Sequence, residues 1–208
     1  MGRSDVLKSL LRSTANSAVT SLVHSPLTGR IQRLIAAASF GRATVSDAQL
    51  TRTVARVPHV AAATVTTTAD CLRVDAGFED GSQLSMAIYP AGLSFAPGGA
   101  KELAFAVQPR EVAHLSQCRD VIAAVAGELA RSLWKPALVG APRSDQLAFV
   151  TFDADRLVVD LRSVPDVRWA LAQSTRAALI EAFTARSFEI NNKRLELVLR
   201  NPLARNSR

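Results

Sequence analysis

Aromatic residues and long hydrophobic runs are both scarce in this sequence, and each scarcity has a consequence. Aromatic side chains make up 5% of the 208 residues, so the core must be built mainly from aliphatic side chains. No run of about eighteen apolar residues occurs, so the sequence predicts no transmembrane helix. The N-terminal region lacks the continuous apolar stretch and the small-residue cleavage site of a secretory signal. We therefore expect a cytoplasmic location.

The N-terminal composition leaves a second location open. Residues 1–44 are rich in Arg, Ser and Ala and contain a single acid, Asp5. This composition also suits an organelle transit peptide if the source is eukaryotic. The two cysteines, Cys71 and Cys118, lack the CxxC spacing of redox or metal sites. We expect both to be buried, reduced thiols.

Sequence signatures of catalysis and of metal or nucleotide binding are also missing. No GxSxG, HExxH, GxGxxG or GxxxxGK[ST] pattern occurs. The three histidines, His24, His59 and His114, lie far apart in the sequence, and none belongs to a recognised metal-binding motif. Asp153 and Asp155 lie in a predicted turn, where Asp is favoured by local hydrogen bonds. We predict no catalytic residue, no metal site and no cofactor, so that the protein is not expected to be an enzyme.

Positive charge is what the sequence does have, and it lies at the two ends. The formal net charge is +7, of which residues 1–44 carry +5, residues 176–208 carry +4 and residues 45–175 carry −2. A near-neutral body with basic ends suits an anionic partner, bound in a salt-dependent way. We do not expect nucleic acid to be that partner, because the predicted sheet has few exposed aromatics, few bases and no recognised binding motif.

Hydrophobic patterning divides the chain into three parts. Residues 1–44 form a basic amphipathic helical segment, residues 45–200 an α+β domain, and residues 201–208 a basic flexible tail. Within the first part, apolar residues recur at helical spacing over 4–24 and bases occupy the opposite face. Pro26 ends this helix, and a shorter helix follows.

The predicted α+β domain begins with the signals of a helix. Further along, its apolar residues recur at every second position. Ser46 and Gln49 have capping-box spacing, and the helix that they start ends before Pro58. Residues 60–107 alternate apolar and polar side chains around an Asp80-Gly81 turn, as antiparallel strands do.

From residue 109 onward, helical spacing of the apolar residues again gives way to alternation. Pro109 is the predicted first residue of a long helix that runs to about residue 134. A hairpin over 147–161, a helix over about 166–186 and a hairpin that turns at Asn191 follow. The fold class is therefore α+β: an antiparallel, meander-type, curved sheet packed against two long helices, preceded by a helical N-terminal region.

The charge and the N-terminal stripe define two sets of candidate contacts. The candidate contacts to an anionic surface are Lys8, Arg12, Arg30, Arg33, Lys193, Arg194 and Arg200. The candidate contacts to an apolar ligand or partner are Leu7, Leu11, Val19 and Leu22. A basic amphipathic helix can lie in a membrane interface, but the same stripe can also pack on the protein's own sheet or on another chain.

These features favour a binding or interaction protein that is not an enzyme. Its expected ligand is a lipid, an apolar molecule or an anionic membrane surface, which would give it a location at the membrane periphery. Two alternatives stay open. One is an enzyme of unrecognised type, with a site assembled from residues scattered along the sequence. The other is an assembly component that pairs with another protein chain through its N-terminal helix, and the oligomeric state is open.

Overall fold

The computed structural model describes residues 42–112, 115–135, 137–142, 144, 146–153, 156–191 and 193–200. The predicted N-terminal helices and the basic tail from residue 201 lie outside these described residues. The strands are β1 (Arg42–Val45), β2 (Val60–Thr67), β3 (Leu72–Phe78), β4 (Gln83–Phe95), β5 (Lys101–Val112), β6 (Val150–Asp153), β7 (Arg156–Asp160), β8 (Thr184–Asn191) and β9 (Arg194–Arg200). The α-helices are α1 (Asp47–Val54), α2 (Leu115–Leu133), α3 (Pro165–Leu171) and α4 (Ser174–Ala182), and a 3₁₀ turn spans Leu161–Ser163.

The strands form two antiparallel sheets, so the predicted α+β class with antiparallel pairing is confirmed. The larger sheet has six strands in the order β2-β3-β4-β5-β7-β6, and the smaller has three in the order β1-β9-β8. The predicted meander corresponds to β2 through β5. The second sheet was not predicted, because β1 and β9 pair across more than 150 residues of chain, and such a pairing leaves no local pattern.

Strand β3 shows how the alternating pattern fixes the sheet's two faces. Its even-numbered residues, from Leu72 to Phe78, are buried, while Arg73 and Asp75 are exposed on the other face. Successive side chains of a strand point to opposite faces. A slip of one residue in register would therefore exchange the two faces, so the apolar set holds β3 in its register.

Helix α1 begins where the capping signal predicts. The Gln49 Oε1 atom accepts hydrogen bonds from the backbone N–H of Ser46 at 3.1 Å and from its hydroxyl at 3.0 Å. Val54 and Leu50 are fully buried. Two further bonds fix α1 on β2: the N–H of Val65 donates to Thr51 Oγ1 at 3.0 Å, and the N–H of Thr67 donates to the Asp47 carboxylate at 3.1 Å.

The predicted helix start at Pro109 is wrong. Strand β5 continues through Pro109 to Val112, and α2 begins at Leu115. Pro109 lies opposite Met86, beside a shift in the register between β4 and β5. A proline has no N–H to donate to a neighbouring strand, so irregular positions of this kind are where a sheet tolerates it.

The second long helix is also interrupted, because α3 ends at Leu171 and α4 starts at Ser174. Ala170 of α3 and Leu179 of α4 are both buried. They lie nine residues apart in sequence, which is about two and a half helical turns. One continuous helix would turn these side chains to opposite sides. The break at residues 172–173 therefore lets both short helices direct their apolar faces to the core.

Helix α2 and the second sheet cover the larger sheet. The buried face of α2 includes Ile122, Val125 and Leu129, and the Ser132 hydroxyl donates to the Thr44 carbonyl of β1 at 3.2 Å. The smaller sheet packs across β4 and β5. At that contact the Phe105 and Phe188 rings meet edge to face, with centroids 5.2 Å apart.

Candidate functional site

An open cleft of about 450 Å³ runs between α1, α2 and the segment that precedes β6. Helix α1 and the turn after it contribute Gln49, Arg52, Thr53, Arg56 and Val57. Helix α2 and the residues after it contribute Ala123, Ala124, Gly127, Glu128, Arg131, Ser132 and Lys135, and the third wall contains Ser144, Gln146, Leu147, Ala148 and Val164. We call this the basic cleft.

Positive charge dominates the lining of the basic cleft. Among the residues that the structure describes, four bases and one acid, Glu128, line this cleft. Arg131 is neutralised by Asp166, whose carboxylate oxygen lies 2.8 Å from its Nε. Arg52, Arg56 and Lys135 are exposed and make no ion pair with any described residue. Set against Glu128, these three cations leave the described lining residues with a surplus of two positive charges.

A chain of polar contacts holds Glu128 and Arg131 in place. The Thr53 hydroxyl donates to Glu128 Oε2 at 3.2 Å, and Arg131 Nη1 lies 3.6 Å from the same oxygen. The Asp166 carboxylate behind Arg131 is buried. Glu128 is therefore engaged by Thr53 and Arg131. The side chains of Arg52, Arg56 and Lys135 are available to a ligand. Fixed polar groups of this kind lower the entropy cost of binding.

Small residues form the floor of the basic cleft. Ala123, Ala124 and Gly127 lie on one face of α2 and are buried. A Cβ atom placed on Gly127 would meet only Arg131 Nη1, at 3.8 Å. The depth of the cleft thus depends on the small size of the side chains along this stretch of α2.

The bases of the cleft also have a favourable position in their helices. Arg52 and Arg131 lie in the last turns of α1 and α2, and Arg56 and Lys135 lie two residues beyond the respective helix ends. Each helix end carries about half a negative charge, and cations there are stabilised. Because the two helix ends offset about one positive charge, part of the surplus remains for an external anion.

The candidate contacts predicted from sequence lie elsewhere or outside the described residues. Lys193 is exposed in the β8–β9 turn with a φ of 56°, and Arg194, also exposed, starts β9; neither lines the basic cleft. Arg200 ends β9. The contacts in the N-terminal segment lie outside the described residues: Lys8, Arg12, Arg30, Arg33, Leu7, Leu11, Val19 and Leu22.

A second polar cluster surrounds Lys101, which is fully buried. Its Nζ donates to the Ala96 carbonyl and, at 3.4 Å, to the Glu181 carbonyl near the end of α4. Burial lowers the pKa of Lys101, the Glu181 carboxylate raises it, and Arg162 lowers it. An amine with a lowered pKa is a common catalytic group, but no substrate can reach a fully buried Nζ. Lys101 instead joins the β4–β5 turn to α4.

Other groups that could act as an acid or a base, His59, Asp75 and Asp160, lie in different parts of the fold and are engaged locally. His59 is exposed and lies 3.2 Å from Glu79. Asp75 accepts a hydrogen bond from the Ser85 hydroxyl at 2.7 Å, and Asp160 accepts one from the N–H of Arg162 at 2.9 Å. None of them lines the basic cleft. Within the described ranges, no group of three His, Cys, Asp or Glu residues is arranged to hold a metal ion.

Both cysteines are free and buried, as the spacing predicts. Burial raises the pKa of the Cys118 thiol, while a backbone hydrogen bond lowers it. A thiol with a raised pKa is protonated at neutral pH and is a poor nucleophile.

Sequence reasoning missed the basic cleft, although part of its signal is local. Arg52 with Arg56 and Arg131 with Lys135 are both spaced by four residues, which puts each pair on one face of a helix. The sequence does not indicate that these two faces meet, because α1 and α2 are separated by four strands.

Comparison with family models, with curated proteins and with solved structures gives no match in any of the three. None of the helices in the described ranges is both long enough and apolar enough to cross a membrane. The basic cleft is therefore interpreted from its own chemistry.

Proposed function

We propose that this protein is a non-enzymatic binding protein whose ligand is an anionic lipid, and that the basic cleft holds the charged head group. The observation that carries the proposal is the convergence of Arg52, Arg56 and Lys135 on one cleft, with Glu128 already engaged by Thr53 and Arg131. Several cations that face one cleft attract a phosphate group together more strongly than an isolated surface cation does.

The size of the basic cleft supports a head group as the occupant. A volume of about 450 Å³ lies within the range of pockets that hold small organic ligands. The cleft is open on one side, so a ligand that stays in a bilayer can enter it with the head group alone. The basic N-terminal sequence does not complement this cleft, since both are positively charged.

The test is flotation of the full chain with vesicles at low salt, using phosphatidylglycerol in phosphatidylcholine and phosphatidylcholine alone. The cleft variant carries Arg56→Glu and Lys135→Glu, and the matched control carries Lys193→Glu and Arg194→Glu. All four side chains are exposed, and each reversal removes two charges, so both variants fall from +7 to +3. General electrostatic attraction is therefore equal in the two variants.

We expect the full chain to float with the anionic vesicles only. The cleft variant should lose about 2 kcal/mol of association or more, roughly thirtyfold, because each base near an anionic surface contributes about 1 kcal/mol. The control variant should lose clearly less. A stronger loss in the control would assign binding to the β8–β9 turn and reject the cleft, and equal losses would mean that only net charge matters.

Competition separates a lipid head group from a free phosphate compound. We expect sn-glycerol 3-phosphate, added in solution, to compete weakly because it lacks the bilayer's high local density of charge. Release of the protein from vesicles by micromolar glycerol phosphate would assign the cleft to a soluble phosphate ester. A full chain that fails to float with anionic vesicles would overturn the lipid proposal.

A further inference from the structure

Two phenylalanine side chains are exposed beside the basic cleft. Phe149, just before β6, is 69% exposed, and Phe152, within β6, is 46% exposed. Strand β6 is an edge of the six-stranded sheet. The two rings therefore leave apolar surface in water that contact with a partner would bury.

The backbone at Phe149 is fixed, so the ring is presented from a defined position. The N–H of Phe149 donates to the Ser163 hydroxyl at 2.8 Å, and that hydroxyl donates to the Asp160 carbonyl at 2.6 Å. These bonds tie the start of β6 to the 3₁₀ turn.

Cations flank the two rings. The Arg119 guanidinium lies 4.6 Å from the centre of the Phe152 ring. Arg119 and Arg168 line a recess of about 380 Å³ together with Phe149 and the acid Asp120. Burial raises the pKa of Asp120, and Arg119 lowers it. We call Phe149, Phe152, Arg119 and Arg168 the Phe149–Phe152 surface.

The recess adjoins the basic cleft. Leu147 and Ala148 line both, so the exposed rings and the cations of the cleft lie on neighbouring parts of the molecule. Exposed aromatic rings next to bases are the combination by which proteins bind at the interface of an anionic bilayer, where apolar burial and charge attraction add.

We propose that the Phe149–Phe152 surface is the part of the protein that docks on an anionic bilayer, with both rings inserted at the interface and the adjoining cleft over the head groups. This inference rests on the proposed function and adds to it the docking surface. A second copy of the chain fits less well. A two-fold interface pairs a surface with itself, which would bring Arg119 and Arg168 close to their own copies.

The experiment is flotation of the full chain with the same anionic vesicles after Phe149→Ser and Phe152→Ser. The matched control is Val139→Ser, which removes a side chain that is 67% exposed and lines neither the recess nor the cleft. We expect the double variant to lose at least about tenfold in vesicle partitioning, because burial of one Phe is worth roughly one to two factors of ten. Val139→Ser should bind like the unsubstituted chain.

A second readout follows insertion directly. The variant Phe149→Trp keeps an aromatic ring, and its additional emission should shift to the blue with anionic vesicles but not with glycerol phosphate in solution. No shift, or unchanged flotation of the double variant while the cleft variant loses binding, would overturn the docking surface and leave the proposed function intact. A dimeric mass in solution that Phe149→Ser and Phe152→Ser abolishes would assign the surface to a second copy.

Discussion

Lys101 is a charged residue that is fully buried in the described core. A lysine ammonium removed from water is costly unless its donors are satisfied, and the lowered pKa of Lys101 reports that cost. The carbonyls of Ala96 and Glu181 satisfy part of the requirement. The stem of the side chain packs in the core beside the Phe95 ring, whose centre lies 5.9 Å from Nζ. The packing of the stem and the charge of the head thus have opposite effects on stability.

Substitution separates these two contributions. We expect Lys101→Ala to lower the free energy of unfolding by about 2–4 kcal/mol, because it removes buried methylene groups and leaves a cavity. Lys101→Met keeps a stem of similar volume and removes the desolvated charge, so it should cost less than half as much. Urea unfolding of the three proteins measures both differences. Equal losses in the two variants would mean that the charged head, and not the stem, carries the stability.

The role of the charge is checked by the pH dependence of stability, compared between the unsubstituted protein and Lys101→Met. The pKa of Lys101 is lowered from its ordinary value of 10.5, so above neutral pH the unfolded chain binds more protons at this residue than the folded chain does. Stability then rises with pH. We expect the unsubstituted protein to gain stability relative to Lys101→Met as the pH rises from 7 towards 10. A gap that stays constant would show that Lys101 is not desolvated.

Helix α2 has an unusual feature for an element at the centre of a domain, a glycine in its interior. Gly127 costs about 0.5–1 kcal/mol relative to alanine in a helix, and the space above it is open to a methyl group. The basic cleft gives a reason for that cost, because a larger side chain at this position would fill its floor.

We expect Gly127→Ala to raise the free energy of unfolding by about 0.5–1 kcal/mol, since the helix gains propensity without a clash. Gly127→Leu should keep the helix and lower the association with anionic vesicles, because its side chain occupies the floor of the cleft. Thermal unfolding and flotation measure the two effects. Unchanged vesicle binding by a folded Gly127→Leu protein would place the head group outside the cleft.

Elements with local signals could be predicted from sequence, and elements defined by distant contacts could not. The Ser46–Gln49 cap and the alternation along β3 depend on neighbours in the chain. By contrast, Pro109 is compatible both with a helix start and with an irregular strand position, and its pairing with β4 decides between them. The break between α3 and α4 likewise follows from where the core lies, which no window of sequence contains.

The basic cleft likewise depends on contacts between residues that are distant in the sequence. Its cations lie in two local pairs, one at the end of α1 and one at the end of α2, and each pair alone is an ordinary feature of a helix C-terminus. Their convergence follows from the packing of α1 against α2. The hydrogen bond from Thr53 to Glu128 joins the two helices at this contact. Sequence reasoning therefore gave weight to the charge at the chain ends and missed the charge that tertiary contacts bring together.

At the scale of the whole described domain, the two sheets are joined by apolar contacts across the core. Strand β9 pairs with β1 at the other end of this domain, so the three-stranded sheet is complete only when the two ends of the domain come together. One contact between the sheets is the edge-to-face pair of Phe105 and Phe188, which are both buried. We expect the two sheets to unfold together because each covers apolar surface of the other.

A double-mutant cycle measures this coupling. We expect Phe105→Leu and Phe188→Leu to be non-additive by about 0.5–1.5 kcal/mol in urea unfolding, which is the contribution of an aromatic pair beyond its buried area. Phe95 provides the matched control, since its ring stacks on Trp134 with centroids 6.4 Å apart. The effects of Phe95→Leu and Phe188→Leu should add. A coupling of Phe105 and Phe188 as small as in that control, or two separate unfolding transitions, would mean that the sheets are stabilised independently.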